Sequence, residues 1–314
     1  MNCKLTALLM LVTWTSLPAQ QHSWNQPPSA QLVNKTPGLV HQSFDSKLMK
    51  TKVGYSVVLP PGYDATSKRR YPVVYWLHGG GGNECSDVWT FHSWRKSFQS
   101  FGDDSVGEVI LVYPNGGRSS YWDHHDGKVM MESLIVKELI PHVDQKYRTI
   151  AKREGRAIHG FSMGASGALK FAIKYPSLFC SAVAYGGGAI DLEKAQMPFI
   201  ANILKRNLNS DRELVRKNNT YRMLAKNHAR VRKLGIPFLL ICGENDTWKS
   251  SATEFQQELN RYGIKCDVKV VPDTAHELGK LIKVEAINAA KFQDRVFRAK
   301  GAKHNSARTR EAGK

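Results

Sequence analysis

Arg156-Ala157-Ile158-His159-Gly160-Phe161-Ser162-Met163-Gly164-Ala165-Ser166-Gly167 decides how the rest of the chain is read. Ala157 to Gly160 has the composition of a short buried strand, and Ala165 to Tyr175 that of a helix rich in small residues. Gly160 to Gly164 between them fits G-x-S-x-G, so a serine sits on a tight strand-to-helix turn. Such a turn forces the serine into a strained backbone conformation and demands small neighbours. Gly160, Gly164, Ala165, Ser166 and Gly167 meet that demand. Ser162 is therefore the candidate nucleophile.

Outward from this stretch, strands and helices alternate. Lys52 to Leu59 alternates and stops at Pro60-Pro61-Gly62-Tyr63. Tyr71 to Leu77 and Val109 to Tyr113 are continuous apolar runs, as strands buried on both faces require. The first ends at His78 and four glycines, Gly79 to Gly82, and the second at Pro114-Asn115-Gly116-Gly117. Helical spacing of Leu134, Ile135, Leu139, Ile140 and Val143 predicts a helix over 130–146. Further strands are expected at Phe179 to Tyr185, Pro237 to Cys242 and Lys265 to Val271, and a last helix from about His276 to Phe297. Ile190 to Leu234 breaks the rhythm with a long, basic, helical insert placed among the last strands. Alternation of this kind predicts an α/β domain with a mostly parallel sheet covered by helices on both faces.

A serine hydroxyl is a poor nucleophile until a base takes its proton. Two later segments supply candidates. Asp246 follows the Pro237 to Cys242 strand, and His276 follows the Lys265 to Val271 strand. Both are thus expected at the carboxyl ends of strands, the edge where open α/β sheets place their sites. The order Ser162, Asp246, His276 is that of a nucleophile, an orienting acid and a base on such a sheet. Glu244 is the rival acid and Asp273 a weaker one. His159 is expected inside its strand, and His124 and His125 in a loop, as structural or substrate-contacting groups. The backbone N–H of Met163 is one expected oxyanion donor, and that of Gly80, with Gly81 as its rival, the second. No Lys-Ser/Thr follows the glycine run, which argues against a phosphate-binding loop.

The 314 residues allow one large domain of about 44–298. The first twenty combine Lys4, an apolar run from Leu5 to Leu17 and Pro18-Ala19-Gln20, the pattern of a cleaved secretory signal. A Pro/Gln/Ser-rich leader over 21–43 is expected next, and a secreted or periplasmic location follows. No later stretch is long and apolar enough to predict a membrane span. The formal charge is +18, and the tail over 299–314 is basic and of disordered composition. It reads either as a solvated surface or as an attachment to an anionic surface, and no recognition motif suggests nucleic acid. Cys85, Cys180, Cys242 and Cys266 lack the close spacing of a zinc site, so no metal is expected.

Together these segments resemble the putative-esterase family, related to esterase D, which includes feruloyl and other carbohydrate esterases and, more distantly, the mycolyltransferases. The resemblance runs from about Phe44 to Phe297. It rests on Leu59-Pro60-Pro61-Gly62-Tyr63, Trp76-Leu77-His78-Gly79-Gly80-Gly81, Tyr113-Pro114-Asn115-Gly116, Glu138-Leu139-Ile140-Pro141 with Tyr147, His159 to Gly167, Gly243 to Asp246 and His276. It implies an α/β-hydrolase fold and a serine carboxylester hydrolase without metal or organic cofactor. It also supports Ser162, Asp246 and His276 as the triad and Gly80 and Met163 as oxyanion donors. The implied substrate is a small-molecule or carbohydrate ester. The loop 116–126 resembles the segment that borders the acyl or sugar pocket in relatives. Tyr121 and Trp122 there would either stack on a sugar or phenolic acid or pack the loop. Transfer of the acyl group to a sugar hydroxyl, and a non-enzymatic binding role on the same fold, are the alternatives.

Overall fold

The computed structural model describes residues 22–92 and 107–301. The expected signal segment and nearly all of the basic tail lie outside the described residues. Eight strands form one sheet: β1 (Leu39–Ser46), β2 (Thr51–Val58), β3 (Val73–Leu77), β4 (Ile110–Pro114), β5 (Arg156–Phe161), β6 (Ala182–Tyr185), β7 (Phe238–Gly243) and β8 (Cys266–Val271). Their order is β1-β2-β4-β3-β5-β6-β7-β8. β1 pairs antiparallel with β2 and β2 with β4, and every other pairing is parallel.

The central strands are buried on both faces because they carry apolar side chains at consecutive positions. Along β3, Val73, Tyr75 and Leu77 enter one core cluster while Val74 and Trp76 enter the other. Helices then close both faces. The first cluster packs under α2, which runs through Met131–Leu134, Ile135–Leu139 and Ile140–Lys146, and under α3 (Met163–Lys174). The middle turns of α2 widen to a π-helix just before Pro141, whose ring nitrogen has no N–H to return to the preceding turn. The opposite face is covered by the long helix α8 (Leu278–Ala299), through Leu281, Ile282, Ala286, Ala289 and Ala290.

Between β6 and β7 the basic insert folds as α4 (Pro198–Leu208), α5 (Arg212–Asn218) and α6 (Thr220–Lys233). A small cluster of Trp122, Leu192, Ile200, Leu208 and Val215 joins it to the loop 116–126. Helix α7 (Lys249–Arg261) links β7 to β8. The sheet begins earlier than the leader reading placed it. Short helix α1 (Ala30–Lys35) falls within 21–43 and strand β1 begins there, and β1 completes the antiparallel edge. Even before α1 the chain is anchored, with Gly54 N–H donating to Trp24 O at 2.7 Å and Gln26 N–H to Glu84 Oε1 at 2.5 Å.

Candidate active site

Ser162 stands between β5 and α3 with φ 55° and ψ −114°. A non-glycine residue there is strained, and the surrounding contacts fix it. Its N–H donates to Tyr185 O at 2.8 Å, tying the turn to β6. Both flanking glycines are required by close approach. A Cβ on Gly160 would lie 2.2 Å from Gly164 O, and one on Gly164 would lie 1.9 Å from Leu77 O.

The base and the acid arrive from two loops that are pinned together. Asn245 N–H donates to Thr274 O at 2.9 Å, and a Cβ on Gly243 would meet the same carbonyl at 2.0 Å. This brings His276 Nε2 to 2.9 Å from Ser162 Oγ and His276 Nδ1 to 2.9 Å from Asp246 Oδ2. The Asp246 carboxylate is wholly buried, and its Oδ1 accepts from the Trp248 N–H at 2.8 Å. The Phe161 ring stacks on the imidazole at 4.8 Å and steadies its plane. The rival acids lie outside this arrangement. Glu244 and Asp273 are exposed, and Glu244 Oε2 accepts the Asp273 N–H at 3.2 Å.

Of the glycine run after β3, Gly80 lines the same cavity as Ser162. Gly79 O accepts from His78 Nδ1 at 2.6 Å and from Gly82 N–H at 3.2 Å. The 79–80 peptide is trans, so Gly80 N–H points the opposite way from that carbonyl. Gly80, Met163 and Ser162 line one cavity, and neither Gly80 N–H nor Met163 N–H has a protein acceptor among the described residues. Gly81, the rival donor, spends its N–H on Gly117 O at 3.1 Å. Met163 also opens α3, whose N-terminal end favours negative charge.

His78 has a part in this that the sequence reading did not assign. Its Nε2 accepts the Gly116 N–H at 2.8 Å, so its proton sits on Nδ1 and holds Gly79 O. Burial pushes its pKa down to about 4 and keeps the ring neutral. Its position at a strand end, just before a glycine run, was the available signal. His159 is buried within β5 beside Gln293, at 2.9 Å, and His124 Nε2 lies 3.3 Å from Ser119 O. Neither meets the serine.

The cavity beside Ser162 holds about 310 Å³. Ile190, Leu192, Phe199, Ile200 and Ile203 from the insert give it an apolar wall, completed by Trp122 and Trp248. Arg118 and Arg206 stand at its rim. The pair Tyr121 and Trp122 divides. Trp122 faces the cavity, but Tyr121 does not and is corrected to a packing residue. Its ring is fully buried against Gly116 and Gly167, and its hydroxyl donates to His78 O at 3.1 Å. Cys85, Cys180, Cys242 and Cys266 are free thiols. Among the described residues no helix is long and apolar enough to cross a membrane.

The family model described as "Putative esterase" matches residues 46–258. An esterase of Mycobacterium tuberculosis is 36% identical over 158 residues, covering 49% of this chain and 33% of that protein. A xylanase/feruloyl esterase of Xylanibacter ruminicola is 30% identical over 132 residues, covering 40% of this chain and 18% of the relative. The chain thus spans a third or less of the length of these relatives. Among solved structures, a ferulic acid esterase superposes with a TM-score of 0.68 at 24% identity, covering 82% of this chain and 98% of its own. An S-formylglutathione hydrolase from Agrobacterium tumefaciens gives 0.67 at 20% identity, covering 82% and 95%. These likenesses establish the α/β-hydrolase fold.

Proposed function

Since this chain belongs to the putative esterase family, we propose that it is a carboxylic ester hydrolase acting through Ser162, His276 and Asp246. The observation that carries the proposal is the unbroken relay of two 2.9 Å contacts, serine to imidazole to buried carboxylate. His276 Nε2 takes the Ser162 proton as Oγ attacks the ester carbonyl. The carbonyl oxygen gains the negative charge, and the Gly80 and Met163 N–H groups receive it. The intermediate collapses to an acyl-serine. The alcohol leaves with the proton from His276, whose imidazolium Asp246 stabilises. Water, deprotonated by the same imidazole, then attacks the acyl-serine and releases the acid and the free hydroxyl.

The finer assignment is an exported enzyme that removes acyl groups from carbohydrates. Its support is the feruloyl esterase relative, the apolar wall of the cavity and the signal-like N-terminus. Full-length protein should release p-nitrophenol from acetate and butyrate esters, and Ser162→Ala should abolish turnover. Unchanged turnover in that variant would remove the serine from the mechanism. Ferulate release from feruloylated arabinoxylan fragments tests the carbohydrate assignment. Its absence alongside rapid aryl-ester cleavage would leave a hydrolase with another substrate.

A further inference from the structure

The rim of the cavity carries positive charge that no carboxylate among the described residues neutralises. Arg118 and Arg206 both line the cavity that contains Ser162. Among the described residues neither guanidinium has an ion-pair partner, and no Asp or Glu lines that cavity. The third cation there, Lys170, differs in kind, because it is buried and paired with Glu132 at 2.7 Å. Elsewhere on the surface, cations of the same insert do find carboxylates: Arg216 and Arg222 both reach Glu193.

The Arg206 guanidinium is held against the backbone of the segment that carries Arg118. Arg206 Nη2 donates to Arg118 O at 3.0 Å, and Arg206 Nε donates to Asn207 Oδ1 at 2.9 Å. Among the described residues the Nη1 hydrogens of Arg206 have no acceptor. Arg118 lies over the oxyanion loop, its Nε 3.2 Å from where a Cβ on Gly81 would sit, and none of its side-chain N–H groups is bonded among the described residues. Partial burial and the Arg118 charge both push the Arg206 pKa downward, so the pair repels across the rim. An anion between them would relieve that repulsion, and a planar carboxylate suits two forks of N–H donors.

Resting on the hydrolase reading above, we propose that the cavity selects esters carrying a carboxylate near the scissile bond, with Arg118 and Arg206 as its specificity-determining residues. The apolar wall of Ile200, Ile203 and Trp248 takes the uncharged part of the same group.

Two matched pairs test this on the full-length protein at low ionic strength. The p-nitrophenyl half-ester of glutarate against p-nitrophenyl valerate places the charge on the acyl side. 4-Acetoxybenzoate against 4-acetoxybenzamide places it on the alcohol side. In at least one pair kcat/KM should favour the anionic ester by about tenfold, and 0.5 M NaCl should reduce the ratio. The pair that responds locates the charge. Arg118→Gln should pull that ratio toward one, and Arg118→Glu should invert it. Ratios near one in both pairs, or ratios unmoved by Arg118→Glu, overturn the proposal. Calorimetry with Ser162→Ala separates this outcome from failure of the hydrolase reading. Tighter binding of the anionic ester supports the arginine site even if neither ester is cleaved by the unmodified protein. Equal binding of charged and neutral esters refutes the site.

Discussion

Replacing Asp246 by Asn keeps the shape of the acid and changes only which atoms donate. Asp246 Oδ1 accepts the Trp248 N–H at 2.8 Å and Oδ2 accepts from His276 Nδ1 at 2.9 Å, in a side chain with no solvent exposure. An amide can satisfy only one of these. With its oxygen toward Trp248, its NH₂ faces His276 and forces the imidazole proton onto Nε2, where it cannot accept from Ser162. With the amide reversed, the tautomer is right but NH₂ meets the Trp248 N–H, leaving a buried donor unpaired at about 1–3 kcal/mol. The imidazolium also loses its counter-charge in either orientation. A fall in kcat of about 10³- to 10⁴-fold is expected, or roughly 4–5.5 kcal/mol at 1.36 kcal/mol per decade. KM should change little. Steady-state hydrolysis of p-nitrophenyl butyrate measures it, with Glu244→Gln as comparison. That variant removes an exposed charge whose partner is Asp273 and should stay within about twofold of the unmodified enzyme. If Asp246→Asn retained a tenth of the activity, or Glu244→Gln lost more, the acid would be misassigned.

Three further outcomes follow from buried ionisable groups. Burial lowers the pKa of His78 and of His159 to about 4 from the ordinary 6.5. Their stabilisation is complete above pH 6.5 and is lost as pH falls toward 4, at about 3 kcal/mol each. Tm followed from pH 7 to 4 should drop steeply, and a flat profile would contradict both. Asp87 behaves in the opposite sense: burial raises its pKa to about 6 although the Trp76 indole N–H donates to it at 2.9 Å. Its contribution is present below the ordinary carboxylate range and lost as pH rises through 6. Asp87→Asn should therefore gain up to about 3 kcal/mol in urea unfolding at pH 7.5, vanishing near pH 4. Burial alone would raise the Glu132 pKa, but Lys170 and Lys174 together hold it at about 2. Glu132→Gln strands the 1%-exposed Lys170 without an anion and should cost about 3–5 kcal/mol, partly recovered by adding Lys170→Met.

Where structure follows from short-range chemistry, the sequence was legible. The two glycines around Ser162 are dictated by carbonyls about 2 Å from their missing Cβ atoms, and that demand is visible in the sequence as G-x-S-x-G. Uninterrupted apolar runs marked β3, β4 and β7 because both faces of those strands are covered. Strand β1 escaped notice for the converse reason. It is an edge strand of half-exposed residues, Leu39 to Ser46, held by its antiparallel ladder to β2 rather than by an apolar pattern. Helix α7 was missed as well, since only Ala252, Phe255 and Leu259 along it are buried. His78 looked like a strand terminus because its task is to orient a carbonyl, and the direction of a peptide plane is not written in any residue's identity.

The loop 116–126 makes the same point at a position where the sequence misled. Neighbours in an extended segment face opposite ways, so Tyr121 and Trp122 could not both face a ligand by simple alternation. Nor is the segment extended. Ser120 and Tyr121 both take left-handed backbone angles, with φ 57° and 56°. Each such residue costs about 1–2 kcal/mol. The tyrosine burial offsets that strain: its hydroxyl reaches His78 O, its own carbonyl accepts from the buried Lys170 at 2.5 Å, and Glu132 neutralises that lysine. The double turn sends the tyrosine ring inward against Gly167 and leaves Trp122 lining the cavity. Tyr121 thereby joins α3, which carries the serine turn, to His78, which aims the oxyanion loop. A chain reading from Lys170 through Tyr121 to His78 and Gly79 places a buried ion pair in mechanical contact with the Gly80 N–H. Loss of Glu132 should then lower kcat as well as stability, whereas loss of an equally stabilising contact under α8, such as Phe297→Ala, should lower stability alone. Equal kcat in both variants at a temperature where each is folded would break that link.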